Sequence, residues 1–189
     1  MNAAAAAVQA APPRLPLSLI RPLALADGRR VLVRPVLPQD DAAEQAFVMA
    51  LSPASRYRRF HVGMRALPAA VLAQFTRIDH RSHVALVAHA ESDDDEPVLV
   101  ADARYVLDAD ADADEAEFAV AVADDWQRQG LGRQMLALLA RHAARQGVRR
   151  LRGDVLADNV PMLKLLAGLG CEVAPRADEA GILLATIEL

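Results

Sequence analysis

The chain predicts a mixed α/β fold in which one sheet carries helices on both faces. Three features of its 189 residues point there. Strand texture recurs at 83–90, 97–107 and 115–123. A helical apolar period occupies 131–146, and strand, helix and paired strands follow it to the end.

Taken in order, residues 1–16 (MNAAAAAVQAAPPRLP) lack the basic start and strong apolar core of a signal peptide. They read as a disordered Ala/Pro-rich tail, leaving 17–189 as a single domain. Residues 18–35 hold Asp27-Gly28 between apolar runs, a hairpin signal. A helix opens after Pro38 and runs to about Leu51; Ser52-Pro53 restarts it as a cap followed by proline at the first helical position. A short helix covers about Pro68 to Phe75. In the segment Arg56-Tyr57-Arg58-Arg59-Phe60 the aromatics are expected to be buried at i,i+3 and the arginines to reach outward.

The strands 83–90 and 97–107 are joined by the polar SDDDE, and the next link, DADADADE at 108–115, reads as a solvated loop. From Leu131 to Gln146, Leu131, Met135, Leu138, Leu139 and Ala143 form one helical stripe. Arg141, His142 and Arg145 fall in its last turns, where positive charge suits the dipole. Residues 148–156 alternate as a strand, Asn159 is placed to cap a helix with Pro161 in its first turn, and strands at about 171–175 and 181–188 close the chain.

Net charge is −4, which argues against a general nucleic-acid binder. The one cysteine, Cys171, rules out an intramolecular disulfide and a cysteine-based metal cluster within one chain, as befits a cytoplasmic protein. No apolar run approaches the roughly 18 residues of a membrane helix. The histidines 61, 80, 83, 89 and 142 are scattered without a triad or metal pattern, so no metal is expected.

The informative stretch is Asp124–Gln134, DDWQRQGLGRQ. It sets Gly130 and Gly132 between an apolar strand and a helix. A helix start offers unpaired N–H groups and partial positive charge, and glycine lets an anion approach without a Cβ in the way. The pattern suits a phosphate cradle, with Arg128 and Arg133 positioned to add charge. A dinucleotide motif would want glycine at 135, where Met135 sits; a P-loop would want Gly-Lys-Ser/Thr, and no lysine is near.

Gln127-Arg128-Gln129-Gly130-Leu131-Gly132 resembles the Gln/Arg-x-x-Gly-x-Gly/Ala signature of the GNAT superfamily of acyl-CoA-dependent N-acyltransferases. Glu117 to Val122 is similar to the strand leading into that loop. Val155-Leu156-Ala157-Asp158-Asn159 and Leu165 to Gly170 resemble the second CoA-side motif. Within the superfamily, Leu51 to Phe60, Ile78-Asp79-His80 with Ala85-Leu86-Val87, and Ala116 to Val120 resemble bacterial protein lysine acetyltransferases of the Pat type. That group often carries a further regulatory or ligase-like domain; none is read here, so regulation is not carried over.

The resemblance implies a mostly antiparallel sheet splayed at its centre, often with a bulge, and acetyl-CoA as acyl donor. Its pantetheine arm would lie against main chain at Val120, Ala121 and Val122. Residues Gln127, Arg128, Gln129, Gly130, Leu131, Gly132 and Arg133 would hold the pyrophosphate, and Asn159 would reach the cofactor from across the gap. Glu117 would be the general base, its pKa raised by desolvation, with Ala119 and Ala121 leaving room for an acceptor. Glu115 is its weaker competitor. The family's usual tyrosine acid is replaced by Leu166. The expected reaction is acetyl transfer to a primary amine, on a protein lysine in the first reading. A small amine (amino acid, polyamine or drug) as acceptor, or a non-catalytic acyl-CoA sensor, is the alternative. No nucleic-acid or membrane partner is expected.

Overall fold

The computed structural model describes residues 15–90, 97–107, 114–177 and 179–189. The expectations for the N-terminal tail (residues 1–14), for SDDDE and for 108–113 of the second acidic link lie outside these residues.

Eight strands form one sheet in the order β1-β2-β3-β4-β5-β6-β8-β7. Strands β1 (Arg21–Ala24) and β2 (Arg30–Pro35) are the expected hairpin, its turn held by Asp27, which accepts hydrogen bonds from the Arg29 amide and guanidinium. Helices α1 (Asp41–Ala50), α2 (Pro53–Phe60) and α3 (Ala69–Thr76) follow. Ser52 caps α2 by accepting from Ser55 N at 3.2 Å, with Pro53 behind it, as the sequence predicts.

Strands β3 (His83–Ala90), β4 (Val98–Leu107) and β5 (Glu115–Val122) continue the antiparallel sheet. Helix α4 (Leu131–Arg145), β6 (Arg150–Leu156), α5 (Val160–Ala167), β7 (Glu172–Pro175) and β8 (Ile182–Glu188) complete it. Among the described residues only β5 and β6 run parallel.

The two faces of the sheet bury separate cores. Leu131, Met135, Leu136 and Leu139 of α4 pack with Leu86, Tyr105, Phe118 and Leu151. On the opposite face Phe47, Val48 and Leu51 pack with Val36, Val87 and Leu99. Strand β3 is covered on both sides, which is why HVALVAHA reads as a nearly continuous apolar run rather than an alternating one.

Two local expectations are corrected. His142 is buried near the Tyr105 ring, and burial lowers its pKa, so at neutral pH it packs as a neutral ring instead of countering the α4 dipole. On α2, Tyr57 is exposed and Arg59 is turned inward, its side chain only 13% exposed. Phe60 faces Phe75, with ring centroids 6.2 Å apart. Tertiary ion pairing, absent from any helical-period argument, sets the buried face of this helix.

Candidate active site

Strands β5 and β6 are partners over three residues only, Glu115↔Arg150, Ala116↔Leu151 and Glu117↔Arg152. Beyond Glu117 they part. Strand β5 stays with β4 as far as Ala101↔Val122, while β6 stays with β8 as far as Leu156↔Ile182. The fork needs no bulge in β5, whose register with β4 is unbroken. Phe118 is the wedge. A Cβ on Gly153 of β6 would stand 2.9 Å from the Phe118 ring and 3.1 Å from its carbonyl oxygen, so only glycine lets β6 lie against the wedge.

The fork leaves main-chain groups of β5 without strand partners. Ala123 N donates to Val100 O on the β4 side, and hydrogen bonding alternates along an antiparallel strand. The even-numbered residues Val120 and Val122 therefore turn their N–H and C=O groups into the gap, and those of Ala121 face β4. The Val122 carbonyl accepts from the Gln127 side-chain amide at 3.0 Å, and the same nitrogen reaches Ser55 of α2 at 3.1 Å. Gln127 thus ties the loop after β5 to two walls of the cavity.

That loop begins with a 3-10 turn, Asp124–Trp126, passes Arg128 at φ 61° and Gly130 at φ 84°, and enters α4 at Leu131. No side chain caps the α4 N-terminus, so its first amides stay available to an anion. Arg128 and Arg133 are exposed beside it. Gly132 is where α4 meets the fork: a Cβ there would lie 3.1 Å from Leu165 Cδ1 and 3.4 Å from Val122 Cγ2. The β1–β2 hairpin braces the loop. Ala26 N donates to Gln129 O at 3.2 Å, Arg29 donates to Asp125 O at 2.9 Å, and its guanidinium lies 3.9 Å over the Trp126 ring.

Across the gap, Asn159 is buried and caps α5, accepting from Met162 N at 3.3 Å. It lines the cavity with Pro161, Met162 and Leu165. Leu166, at the position where the family often has tyrosine, is fully buried in the core. The side of α5 that meets the cavity is therefore apolar or amide, with no acid among its lining residues.

The cavity holds about 740 Å³ and spans the whole fork. Glu117, Val120, Ala121, Val122, Gln127, Gly132 and Asn159 line it; Arg128, Gln129, Gly130, Leu131 and Arg133 belong to the loop and helix tip at its end. Glu117 stands at the mouth, on the face of β5 that also presents Ala119 and Ala121. Its side chain is exposed. Glu115 is buried and ion-paired to Arg150 and Arg152, which commits it to joining β5 and β6.

The wall opposite the loop was not foreseen. Asp102 and Arg104 of β4 form a bidentate buried pair at 2.6 and 3.0 Å. Arg104 also reaches Glu44 of α1 at 3.3 Å, and its guanidinium stacks 3.6 Å over Phe75 of α3. Arg59 of α2 lies 3.8 Å from Asp102. Burial, then the neighbouring Asp102 carboxylate, raise Glu44 to about 8, so it is protonated at neutral pH. His83, 3.3 Å from Arg104, is pushed down to about 4 by burial and by that guanidinium, and is neutral there. The visible trace is Asp102 and Arg104, two residues apart in the apolar run VLVADARYVL, hence on one face of a strand. Glu44 and Arg59 carry no comparable signal.

The acetyltransferase (GNAT) family model matches residues 47–171. The chain belongs to the GNAT family. An acetyltransferase of Pseudomonas aeruginosa is 36% identical over 146 residues, 77% of each chain. The acetyltransferase Pat of Mycolicibacterium smegmatis is 30% identical over 79% of this chain, which spans only 43% of that relative's length. The crystal structure of the GNAT domain of S. lividans PAT superposes with a TM-score of 0.84 at 28% identity, covering 93% of this chain and all of that domain. The Salmonella typhimurium protein yncA, solved with its cofactor acetyl-CoA, shares the fold, with a TM-score of 0.68 at 19% identity over 84% of this chain and 94% of that one. The expected fold, a mostly antiparallel sheet opened at its centre, is borne out. The protein is an acetyltransferase of this family. Among the described residues no helix is long and apolar enough to cross a membrane.

Proposed function

We propose that the enzyme acetylates the side-chain amine of lysine in a protein, with Glu117 as general base. The observation that carries the assignment is the place of Glu117: a carboxylate at the mouth of the fork, on the cavity face, three residues from the first β5 main-chain groups turned into the gap. The likeness to Pat-type proteins supports protein lysine as the acceptor.

Acetyl-CoA would lay its pyrophosphate on the amides at 128–133 and its pantetheine arm along Val120–Val122, with Asn159 closing from α5. A lysine amine, with pKa about 10.4 in water, arrives mostly protonated. The cavity helps remove that proton in two ways. Glu117 accepts it, and Arg59 and Arg104 disfavour a further cation nearby. The neutral nitrogen then attacks the thioester carbonyl, forming the C–N bond. A β5 N–H in the gap stabilises the charge on oxygen. The attacking nitrogen gives up its second proton to water, and collapse breaks the C–S bond and releases the thiolate of CoA. Since thiols have pKa about 8.5, it can leave without a protein acid and take its proton from water, which suits a cavity wall built of Pro161, Met162 and Leu165.

The test is thiol release with lysine peptides, amino acids, polyamines and amine drugs as acceptors. Turnover of peptides above the small amines is the expected result. Turnover of small amines alone would move the acceptor to that class, and tight acetyl-CoA binding without thiol release from any acceptor would make the protein a sensor. Glu117→Gln should lower kcat by about 10²- to 10⁴-fold while acetyl-CoA binding, read by calorimetry, changes little. Full activity in that variant would overturn the base assignment.

A further inference from the structure

Arg58 is the one arginine on the acceptor wall whose charge the fold does not use. It is half-buried, lines the cavity, and makes no hydrogen bond, ion pair or ring contact among the described residues. Arg104 is neutralised by Asp102. Arg59 shares the same aspartate at 3.8 Å, so Asp102 faces two guanidiniums, with the Glu117 carboxylate acting on Arg59 from farther off. Burial lowers the pKa of Arg59 and Asp102 opposes it, and the guanidinium stays charged.

The position of Arg58 along the cavity is set by α2. Ser55 of that helix donates to Asp124 at 2.7 Å and accepts from Gln127, which puts it beside the end of β5. Arg58 lies three residues on, on the same face of α2, about 4.5 Å farther along the axis and away from the phosphate loop. Its neighbour Arg59 sits by Asp102, whose β5 partner is Ala121, and Arg104 partners Ala119. Arg58 is thus level with the part of β5 where acyl transfer would occur, on the side from which an acceptor enters. The cation is local, because the whole chain is net negative at −4.

Resting on the protein-lysine reading above, we infer that Arg58, supported by Arg59, selects acceptor lysines flanked by acidic residues: Arg58 binds a carboxylate of the substrate segment while Glu117 receives the amine. A part-buried guanidinium and carboxylate form charge-assisted hydrogen bonds, and the partner that would otherwise fill this role is absent among the described residues.

The experiment uses the full chain and three peptides that differ only in the residues on either side of one lysine, which are glutamate, alanine or arginine. In the wild type, kcat/KM should fall in that order, with about tenfold between the glutamate and alanine peptides. Arg58→Glu should reverse the order and Arg58→Lys should keep it. Ratios are taken within each variant, so a general loss of activity cancels, and thermal melting checks that each variant is folded. Equal rates for the three wild-type peptides, a preference for arginine flanks, or an unchanged order in Arg58→Glu would each overturn the inference while leaving lysine acetylation standing. No turnover of any peptide by enzyme that binds acetyl-CoA would overturn both.

Discussion

The wall of the cavity around the Gly130–Gly132 loop is backbone and hydrocarbon drawn mainly from residues 118–133, whereas the wall proposed to receive the acceptor is side-chain charge drawn from α1, α2, β3 and β4. The first depends on where β5 and β6 separate and on glycines that let chain segments approach. The second depends on pairing charges out of water, with Asp102 at its centre. Failure should differ accordingly. Damage to the loop wall should weaken ligand binding first, because an uncapped helix tip costs the fold little. Damage to the acceptor wall should weaken the fold itself, because its charges are buried.

Removal of Asp102 tests this contrast most severely. Asp102→Ala would leave Arg104 and Arg59 buried without their carboxylate, and urea denaturation should show a loss of roughly 3–5 kcal/mol. A loss no larger than that of an exposed substitution would mean that the acceptor wall is no structural unit.

Glu44 gives a smaller effect with a defined sign. Its folded-state pKa, about 8, lies above the ordinary 4.5. Its contribution to stability is therefore complete below about pH 4.5 and is lost as pH rises through about 8. The stability advantage of the wild type over Glu44→Gln should shrink across that window, by a few kcal/mol at most, when unfolding is followed at fixed ionic strength. An advantage that grows with pH would show that Glu44 is ionised in the fold.

Gly130 probes the other wall. Its φ of 84° disfavours any residue with a Cβ, by about 1–2 kcal/mol, and it ends where the uncapped amides begin. Gly130→Val should weaken acetyl-CoA binding about tenfold by calorimetry, with a smaller change in melting temperature than Asp102→Ala causes. The reverse ranking of the two variants would remove the distinction between the walls.

Legibility followed the same division. Among the described residues the strands and α-helices were readable, because period-2 and 3.6-residue patterns, the Asp27-Gly28 turn, the Ser52-Pro53 cap and the Asn159 cap are all local in sequence; the short 3-10 turns at Leu17–Leu19 and Asp124–Trp126 were not. The glycine loop between β5 and α4 was readable for the same reason: strand, glycines and helix follow one another within the single stretch 115–145. The interior role of Arg59 was not readable, since a helix sequence does not say which neighbour brings a carboxylate to meet it.

What the amino-acid sequence determined alone was the order of elements, the bare helix tip after β5 and the carboxylate Glu117 on the alternating face of that strand. Tertiary structure decided where the sheet opens, with Phe118 against Gly153 as the wedge, and which charges are buried together behind the cavity. The physical reason is range. Backbone preference and periodicity act over a few residues, but desolvation and ion pairing depend on distances between Glu44, Arg59, Asp102 and Arg104, which only the folded sheet and its helices bring within reach of one another.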